Sequence, residues 1–433
     1  MKPDFPAPSR QAYFALGVLL LAYILSFIDR NVMAVLIGPI RAEFDISDFQ
    51  YSLLHGFAFS MFYIVLGLPI ARLADRANRK WIITIGVAVW SLMTCLCGVA
   101  RTFGALFVTR MGVGVGEAAL SPPAFSLLSD LFPAEKLARA ISVYTLGITI
   151  GGGLAYIVGG AIYAYFATLG GMRLPLLGQV SAWQMTFVAV GLPGFIVVGL
   201  LACLKEPVRQ GDVSTPDAGL AEVKNQLRQH WQAYLGAIGS VSLLGILGYG
   251  TMAWYPEFLI RTFGMDRADA GTQFGLIFLV VGSLGTLAGG WSVLPLSRRG
   301  YRDAPMRIIL ATALLWVLPA SLGPLAGTQF WAIVAACPIV FFLNAYYGVA
   351  VAAVQLITPN RMRAQVSALM LFMTNLFGLA LGPAAVAVLT DYVFGDDQAL
   401  RYSLALVPLL VCPAAALLVV LGLKPYRRAL EAV

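Results

Sequence analysis

Long apolar runs alternate with shorter polar stretches along the whole 433-residue chain. Most runs approach or exceed the length of about twenty residues that an α-helix needs to cross the hydrocarbon core of a bilayer. The pattern therefore predicts an all-α membrane protein with twelve transmembrane helices. They are expected at about residues 13–39, 50–74, 80–100, 104–129, 138–166, 182–204, 233–260, 271–295, 306–323, 329–357, 364–390 and 402–423.

One polar stretch is much longer than the others. Residues 205–232 are rich in charge, Pro and Gly, and six predicted helices lie on each side of them. We expect an N-terminal six-helix bundle over 1–204, a cytoplasmic linker over 205–232 and a C-terminal six-helix bundle over 233–433. Part of the linker, AGLAEVKNQLRQHW, fits a short amphipathic helix on the membrane surface.

The two halves resemble each other in sequence. FPAEKLARAISVYTLGITIGGG, at 132–153, parallels TPNRMRAQVSALMLFMTNLFG, at 358–378, and Ser142 and Ser367 are 225 positions apart. Repeats of six spans are a transporter architecture, with the substrate at the repeat interface near the middle of the membrane. We therefore expect two bundles related by pseudo-two-fold symmetry.

Composition agrees with a membrane protein and gives its orientation. The chain is 59% hydrophobic and 12% charged, whereas soluble proteins are about 45–50% apolar and about 25% charged. When alternate loops are assigned to opposite sides, one side has 21 Lys and Arg and the other has 6. The positive-inside rule then places both termini in the cytoplasm, so the net charge of +8 indicates topology and not a nucleic-acid partner. The lack of Asn-x-Ser/Thr sequons favours a bacterial inner membrane.

Charged residues inside two of the predicted spans are the main candidates for function. The first span contains Asp29 and Arg30, and the fourth contains Arg110 and Glu117. Each charge costs about 2.5–3.5 kcal/mol at the centre of a membrane helix on insertion scales, so intramembrane charges are functional by default. We expect Asp29 and Glu117 to be the protonatable groups for proton coupling, with Arg30 as a fixed charge. Because Arg110 and Glu117 are seven apart, they share a helix face, and a purely structural ion pair is the alternative.

Other reactive residue types give weaker signals. His55, in the second span, is a secondary candidate for proton relay, although a lone helix His is more often structural. The five cysteines lie in or beside spans with no chelating arrangement, and small buried hydrophobes are the expected reading. We therefore expect no metal and no cofactor. An enzyme is disfavoured because the sequence offers no nucleophile–base cluster.

Glycines recur in the fourth and fifth spans. GVGVGE, at 112–117, lies inside a span, so it is not a dinucleotide-binding loop, which needs a preceding strand. Close helix packing is the expected role of these glycines and of the small residues Gly147, Gly151, Ala155 and Gly159.

A charged turn follows the second span. In GLPIARLADRANRKWI, at 67–82, the residues Asp75, Arg76, Arg79 and Lys80 form a charge network at helix ends that is able to clamp one conformation. Simple positive-inside anchoring is the alternative. The stretch resembles the signature loop of the major facilitator superfamily, with Ala71 and Asn78 in place of two glycines. The second-half counterpart, GGWSVLPLSRRGYR, lacks the Asp, so we expect a degenerate clamp there.

Further motifs resemble one branch of that superfamily. SFIDRN, the segment LLHGFAFSMFYIVLGLPIARLADRANRK and RMGVGVGEAALSPPAFSLLSDLF are similar to Spinster transporters. The resemblance implies a monomer that works by alternating access. It also implies proton-linked or gradient-linked movement of lysophospholipids or sphingoid phosphates.

The resemblance further implies that helices one, four, seven and ten line the cavity. We expect the substrate headgroup at Arg30 and Glu117 and its apolar tail along an aromatic wall from the second half. Core packing is the alternative for any one of the wall residues. The wall candidates are Tyr249, Trp254, Tyr255, Phe341, Asn344, Tyr346 and Tyr347.

Two functions compete on these residues. A proton-coupled transporter of an amphipathic, anionic lipid is the leading interpretation. A proton-coupled transporter of small polar organic anions, such as sugar acids, would use the same Arg and carboxylates in a tighter and more polar cavity. A second basic group in the second half would favour the latter, and the spans offer none.

Overall fold

A computed structural model describes residues 10–174, 178–207 and 220–432. Almost all of this chain is helical. The α-helices are α1 (Arg10–Asn31), α2 (Ile37–Phe44), α3 (Asp48–Ser52), α4 (Ala58–Arg76), α5 (Arg79–Cys97), α6 (Phe103–Glu117), α7 (Ser121–Leu131), α8 (Ala134–Thr168), α9 (Ala182–Ala202), α10 (Leu220–Gln229), α11 (Trp231–Tyr234), α12 (Ser240–Phe263), α13 (Arg267–Ile277), α14 (Ser283–Arg298), α15 (Ala304–Leu322), α16 (Gln329–Leu356), α17 (Arg363–Thr374), α18 (Leu381–Val388) and α19 (Leu400–Ala432).

Short 3₁₀ and π-helical segments lie between several of these α-helices and join them into longer helices. The 3₁₀ segments are Val32–Val35, Asn360–Met362 and Asp397–Ala399. The π segments, each a turn with one residue more than an α-turn, are Leu53–Phe57, Leu235–Gly239, Phe278–Gly282, Asn375–Ala380 and Leu389–Phe394. One small antiparallel hairpin, β1 (Met172–Leu174) with β2 (Gly178–Val180), follows α8.

Twelve segments of the described chain are long and apolar enough to cross a membrane. The predicted all-α fold with twelve transmembrane helices is confirmed. The fourth span, Phe103–Leu131, is interrupted near its middle, because α6 ends at Glu117 and α7 begins at Ser121. The reason lies in Pro122 and Pro123, which lack the N–H that a helix interior requires but fit its first turn.

Polar side chains fix several helix starts. Asn78 accepts a hydrogen bond from the N–H of Trp81 at the start of α5, and Thr102 accepts one from the N–H of Ala105 at the start of α6. Ser181 begins α9 with a reciprocal capping box. Such caps each stabilise a helix end by about 1 kcal/mol. The Thr102 cap fixes where Arg110 and Glu117, the charged residues of the fourth span, lie along α6.

The chain divides into two compact units. The first comprises 1–46, 53–212 and 266–275, and the second comprises 47–52, 213–265 and 276–433. In the first unit α1 packs on α8, and α5 packs on α6 and α9. In the second unit α15 packs on α16 and α19, while α12 packs on α18 and α19.

The division into bundles 1–204 and 233–433 stays a prediction. The predicted linker 205–232 lies in part outside the described residues, which omit 208–219. Its second part contains α10, where Val223 is buried and Lys224 is exposed, as an amphipathic helix requires.

Candidate functional site

The charged pair of the first span lies at the end of α1. Asp29 and Arg30 are 2% and 6% exposed, and the helix ends one residue later, at Asn31. The Asn31 amide donates to the carbonyl oxygen of Phe27 at 2.8 Å, and the chain continues in the tighter 3₁₀ segment Val32–Val35. The change of helix type therefore occurs directly beside the two charges.

Arg30 forms a buried ion pair with Glu117, the last residue of α6. Nη2 of Arg30 lies 2.6 Å from Oε2 of Glu117, and both side chains are at most 7% exposed. Ser26, one turn earlier on α1, donates its hydroxyl to the same carboxylate oxygen at 2.7 Å. Glu117 thus receives a guanidinium and a hydroxyl donor on one oxygen, while Oε1 has no partner among the described residues.

Three aromatic rings surround the Arg30 guanidinium. Its central carbon lies 4.8 Å from the ring centre of Phe27, 4.7 Å from that of Phe59 and 5.1 Å from that of Tyr63. A desolvated cation over an aromatic face gains up to about 2 kcal/mol. The rings therefore stabilise the Arg30 charge independently of Glu117.

Asp29 faces a different set of groups. The hydroxyl of Thr94 on α5 donates to its Oδ2 at 2.9 Å, and its Oδ1 has no partner among the described residues. Nη1 of Arg110 lies 3.5 Å from the backbone oxygen of Asp29, a weak contact. Sequence reasoning missed Ser26 and Thr94, because a hydroxyl in an apolar span carries no signal of its partner.

The Arg110–Glu117 ion pair considered above is not formed among the described residues. Glu117 pairs with Arg30, and in the described chain Arg110 makes no ion pair. Arg110 is completely buried, with Nε and Nη2 lacking hydrogen-bond partners there, and it lies 5.6 Å from the Phe59 ring. Two buried arginines, Arg30 and Arg110, and two buried carboxylates, Asp29 and Glu117, therefore lie together in the first unit. Atoms of Asp29, Glu117 and Arg110 have no hydrogen-bond partner among the described residues.

Glycines let these helices approach closely. A Cβ on Gly114 of α6 would lie 2.3 Å from the backbone oxygen of Phe59, and one on Gly151 of α8 would lie 2.5 Å from that of Ile24. Neither position has room for a side chain. The close-packing interpretation of both glycine runs is confirmed, and the approach brings the Phe59 ring next to Arg30.

His55 lies in the π segment Leu53–Phe57 and is 5% exposed. Irregular turns of this kind occur frequently at functional sites. Its part in proton relay stays a prediction.

The charged turn between α4 and α5 binds the start of the linker. Nε of Arg79 lies 2.8 Å from Oε1 of Glu206, and the Arg79 guanidinium also pairs with Asp130 of α7. The backbone N–H of Lys80 donates to Oε2 of Glu206, and its Nζ donates to the carbonyl oxygen of Leu204 at 2.9 Å. Glu206 and Asp130 were not predicted, although each is an acid at a helix end on the basic side of the chain.

Arg76 and Asp75, the other two predicted residues of this turn, are not part of the contacts just described. Arg76 is exposed at the end of α4, and the side chain of Asp75 lies outside the described residues. The gate function of the turn stays a prediction. The described contacts of Arg79 and Lys80 all lie within the first unit.

In the second unit, the residues predicted to form the aromatic wall differ in burial and in their hydrogen bonds. Trp254 Nε1 donates to the carbonyl oxygen of Pro383 at 2.9 Å, and the Tyr255 hydroxyl donates to that of Ala332 at 2.6 Å. The Asn344 amide donates to its own helix, at the oxygen of Val340. These three are buried, and the donor groups named here have backbone partners, as those of packing residues do.

The remaining wall candidates form aromatic contacts or are partly exposed. Tyr346 is buried with its ring 5.9 Å from that of Trp316, and 6.3 Å from that of Tyr347. Phe341 packs on Phe342, and Phe341, Tyr347 and Tyr249 are partly exposed. Their substrate contacts stay a prediction, strongest for these partly exposed rings.

A family model describes most of the chain. Residues 19–426 match the model of the Major Facilitator Superfamily. A relative described as an MFS-type efflux pump from Mycolicibacterium smegmatis is 29% identical over 425 residues, which cover 97% of this chain and 94% of the relative. Protein spinster homolog 1 of Homo sapiens is 27% identical, over 90% of this chain and 77% of that protein.

Solved structures of transporters are also similar to this chain in fold. A bacterial homologue of the human lysosomal transporter Spinster, in an inward-facing and unoccupied conformation, superposes with a TM-score of 0.79 at 27% identity and covers 98% of both chains. A D-xylose–proton symporter superposes with a TM-score of 0.69 at 16% identity, which supports the fold alone.

Proposed function

Because the chain is a Spinster-like member of the major facilitator superfamily, an integral membrane family of secondary transporters, we propose that it is a proton-coupled transporter of an amphipathic, anionic lipid. The lipid belongs to the lysophospholipid or sphingoid phosphate class. The protein works as a monomer by alternating access in a bacterial inner membrane, with both termini in the cytoplasm. The observation that carries the proposal is the buried Arg30–Glu117 pair beside Asp29.

The chemistry follows from which of these groups can change charge. Arg30 stays protonated in proteins, whereas Glu117 and Asp29 are able to bind a proton. When Glu117 takes up a proton it loses its charge, and the ion pair with Arg30 is lost with it. Arg30 is then available to an anionic headgroup while the rings of Phe27, Phe59 and Tyr63 hold its guanidinium.

Proton and headgroup are thereby linked. A phosphate bound to Arg30 supplies the negative charge that ionised Glu117 supplies in its absence. Occupation of Arg30 by the headgroup and protonation of Glu117 therefore favour each other, as two ligands with a positive coupling free energy do. The partly exposed rings of Tyr249, Phe341 and Tyr347 are suited to the apolar tail.

The test is transport in liposomes under an imposed pH gradient. Labelled lysophospholipid and a labelled sugar acid are followed for the wild type, Glu117→Gln and Glu222→Gln. Glu222 is an exposed carboxylate on α10, so its variant controls for the loss of a charge alone. We expect lipid movement that follows the gradient, fails in Glu117→Gln and persists in Glu222→Gln.

Two results would overturn parts of the proposal. Movement of the sugar acid alone would replace the lipid by small polar anions. Wild-type proton dependence in both Glu117→Gln and Asp29→Asn would remove the assignment of the proton sites.

A further inference from the structure

A second group of charges lies far along the chain from Arg30, around Asp303 between α14 and α15. Asp303 is 3% exposed and binds two arginines. Nε of Arg307 lies 2.9 Å from its Oδ1, and Nε and Nη2 of Arg427 lie 2.7 Å from its Oδ2. The buried carboxylate of Asp303 thus binds two guanidinium groups. Each of them uses only the edge that carries Nε.

The opposite edges of these groups remain open. In the described chain, both Nη atoms of Arg307 and Nη1 of Arg427 have no hydrogen-bond partner. The Arg307 guanidinium also stacks on Tyr301, with its central carbon 4.1 Å from the ring centre. Stacking and the shared carboxylate hold the donors in place before any ligand arrives.

These side chains border a hollow of about 310 Å³. A third arginine, Arg302, also lines it and has no side-chain partner in the described chain. Leu430 supplies an apolar wall, and Glu431 is the one further acid at the rim. Since Asp303 and Glu431 offset two of the three cations, the hollow keeps a net positive charge.

The hollow lies where three membrane-length helices end. The segments Arg267–Arg298 and Ala304–Leu322 meet beside it, and the segment Asp397–Glu431 ends at it. Basic pockets between membrane helices at this level bind lipid head groups. Guanidinium forks match the spacing of phosphate oxygens and bind them through charge-assisted hydrogen bonds.

We propose that Arg302, Arg307 and Arg427 form a binding site for a phosphate group at the membrane boundary, separate from the Arg30 site. The phosphate is that of an anionic phospholipid or free inorganic phosphate. In the lipid case, Leu430 contacts the first carbons of the acyl chains. The site does not depend on the transport function proposed above.

The test uses full-length protein purified in detergent, with no ion gradient, so its outcome is separable from transport. Native mass spectrometry counts the phosphatidylglycerol and phosphatidylcholine retained from mixed micelles, and calorimetry measures binding of inorganic phosphate. Arg302→Gln is the test variant, because Arg302 takes no part in the Asp303 ion pairs. Arg299→Gln is the matched control, since Arg299 is an exposed arginine of the same turn outside the hollow.

We expect Arg302→Gln to lower the affinity by up to about fivefold, the upper limit for one exposed charge contact, and Arg299→Gln to leave it unchanged. Loss confined to phosphatidylglycerol supports the site with a lipid as its source. Loss for inorganic phosphate also supports the site, with the free anion as its ligand. Equal losses in both variants, or no preference for phosphatidylglycerol together with no phosphate binding, overturn the proposal.

Discussion

Arg261 holds Asp48 by two parallel hydrogen bonds, although 213 positions separate them in sequence. Both Nη atoms lie 2.7 Å from the two oxygens of Asp48, whose side chain is fully buried, and Nε lies 3.0 Å from Glu257. All three residues belong to the second unit, which includes the six-residue segment 47–52 from early in the chain. The bidentate, charge-assisted pair therefore ties this segment to the rest of that unit.

Removal of one partner is expected to destabilise the protein substantially. Arg261→Gln leaves the buried charge of Asp48 uncompensated, which costs about 3–5 kcal/mol. The loss in Asp48→Asn is smaller, because Arg261 keeps its pair with Glu257. We expect Asp48→Asn and Arg261→Gln each to lower the thermal midpoint of the purified protein. The double variant should lose clearly less than the sum of the two, as thermal unfolding of all four proteins will show. Additive losses would mean that the two side chains do not stabilise each other.

Substrate binding is expected to take up protons. If an anionic headgroup replaces Glu117 as the partner of Arg30, protons enter the protein as the lipid binds. Calorimetric titrations with lysophospholipid, in two buffers of different ionisation enthalpy at the same pH, measure this uptake directly. We expect up to one proton per lipid for the wild type and clearly less for Glu117→Gln, in which Asp29 is the remaining proton site. Identical heats in both buffers for the wild type would argue against the linkage.

The stability contributed by Asp303 is expected to depend on pH. Burial alone would raise the pKa of this carboxyl, but the hydrogen bonds and charges of Arg307 and Arg427 outweigh it and lower the pKa below its usual value. In the unfolded chain the pKa of an Asp is about 3.9. The contribution is therefore fully present above that pH and is lost as the pH falls through the lower folded value.

The measurement compares thermal midpoints of the wild type and Asp303→Asn. We expect a constant difference in favour of the wild type from pH 7 to about pH 5, narrowing below about pH 4. A difference that persists unchanged into the acid range would mean that the ionised carboxylate is not what stabilises the fold.

Gly114 and Gly104 offer a matched pair on one helix. A Cβ at Gly114 would lie 2.3 Å from the Phe59 oxygen, whereas one at Gly104 meets nothing within 4 Å. Overpacking of this kind costs about 1–3 kcal/mol, and an unhindered Gly to Ala change in a helix gains up to about 1 kcal/mol. We expect Gly114→Ala to unfold at a lower temperature and Gly104→Ala to match or exceed the wild type. The same order should appear in expression yield.

Much of the fold could be predicted because a membrane imposes simple rules. Apolar length predicts spans, and twelve were found. The break between α6 and α7 was predictable too, since the two consecutive prolines Pro122 and Pro123 remove two successive N–H donors and fit best in the first turn of a helix. Their position inside one long apolar run concealed it.

The partners of charged side chains could not be predicted in the same way. A spacing of seven places Arg110 and Glu117 on one face of α6, but packing of α1 against that face brings Arg30 to Glu117 instead. Asp303 does not occupy the position that corresponds to Asp75, so the repeat of the two halves does not reveal it. In the second half the acid follows the arginines, and it pairs with Arg427 at the other end of the unit's sequence.

The π segments have a consequence for the evolution and engineering of this chain. Each holds one residue more than a regular turn, and one residue corresponds to about 100° of rotation around a helix. Deleting one residue within Phe278–Gly282 would restore a regular helix and leave the two flanks facing nearly as before, whereas a deletion in a regular stretch would rotate one flank by about 100°. Single deletions should therefore be tolerated better in these turns than in the regular parts of the spans, and probes placed across such a turn should be assigned to helix faces only after counting the extra residue.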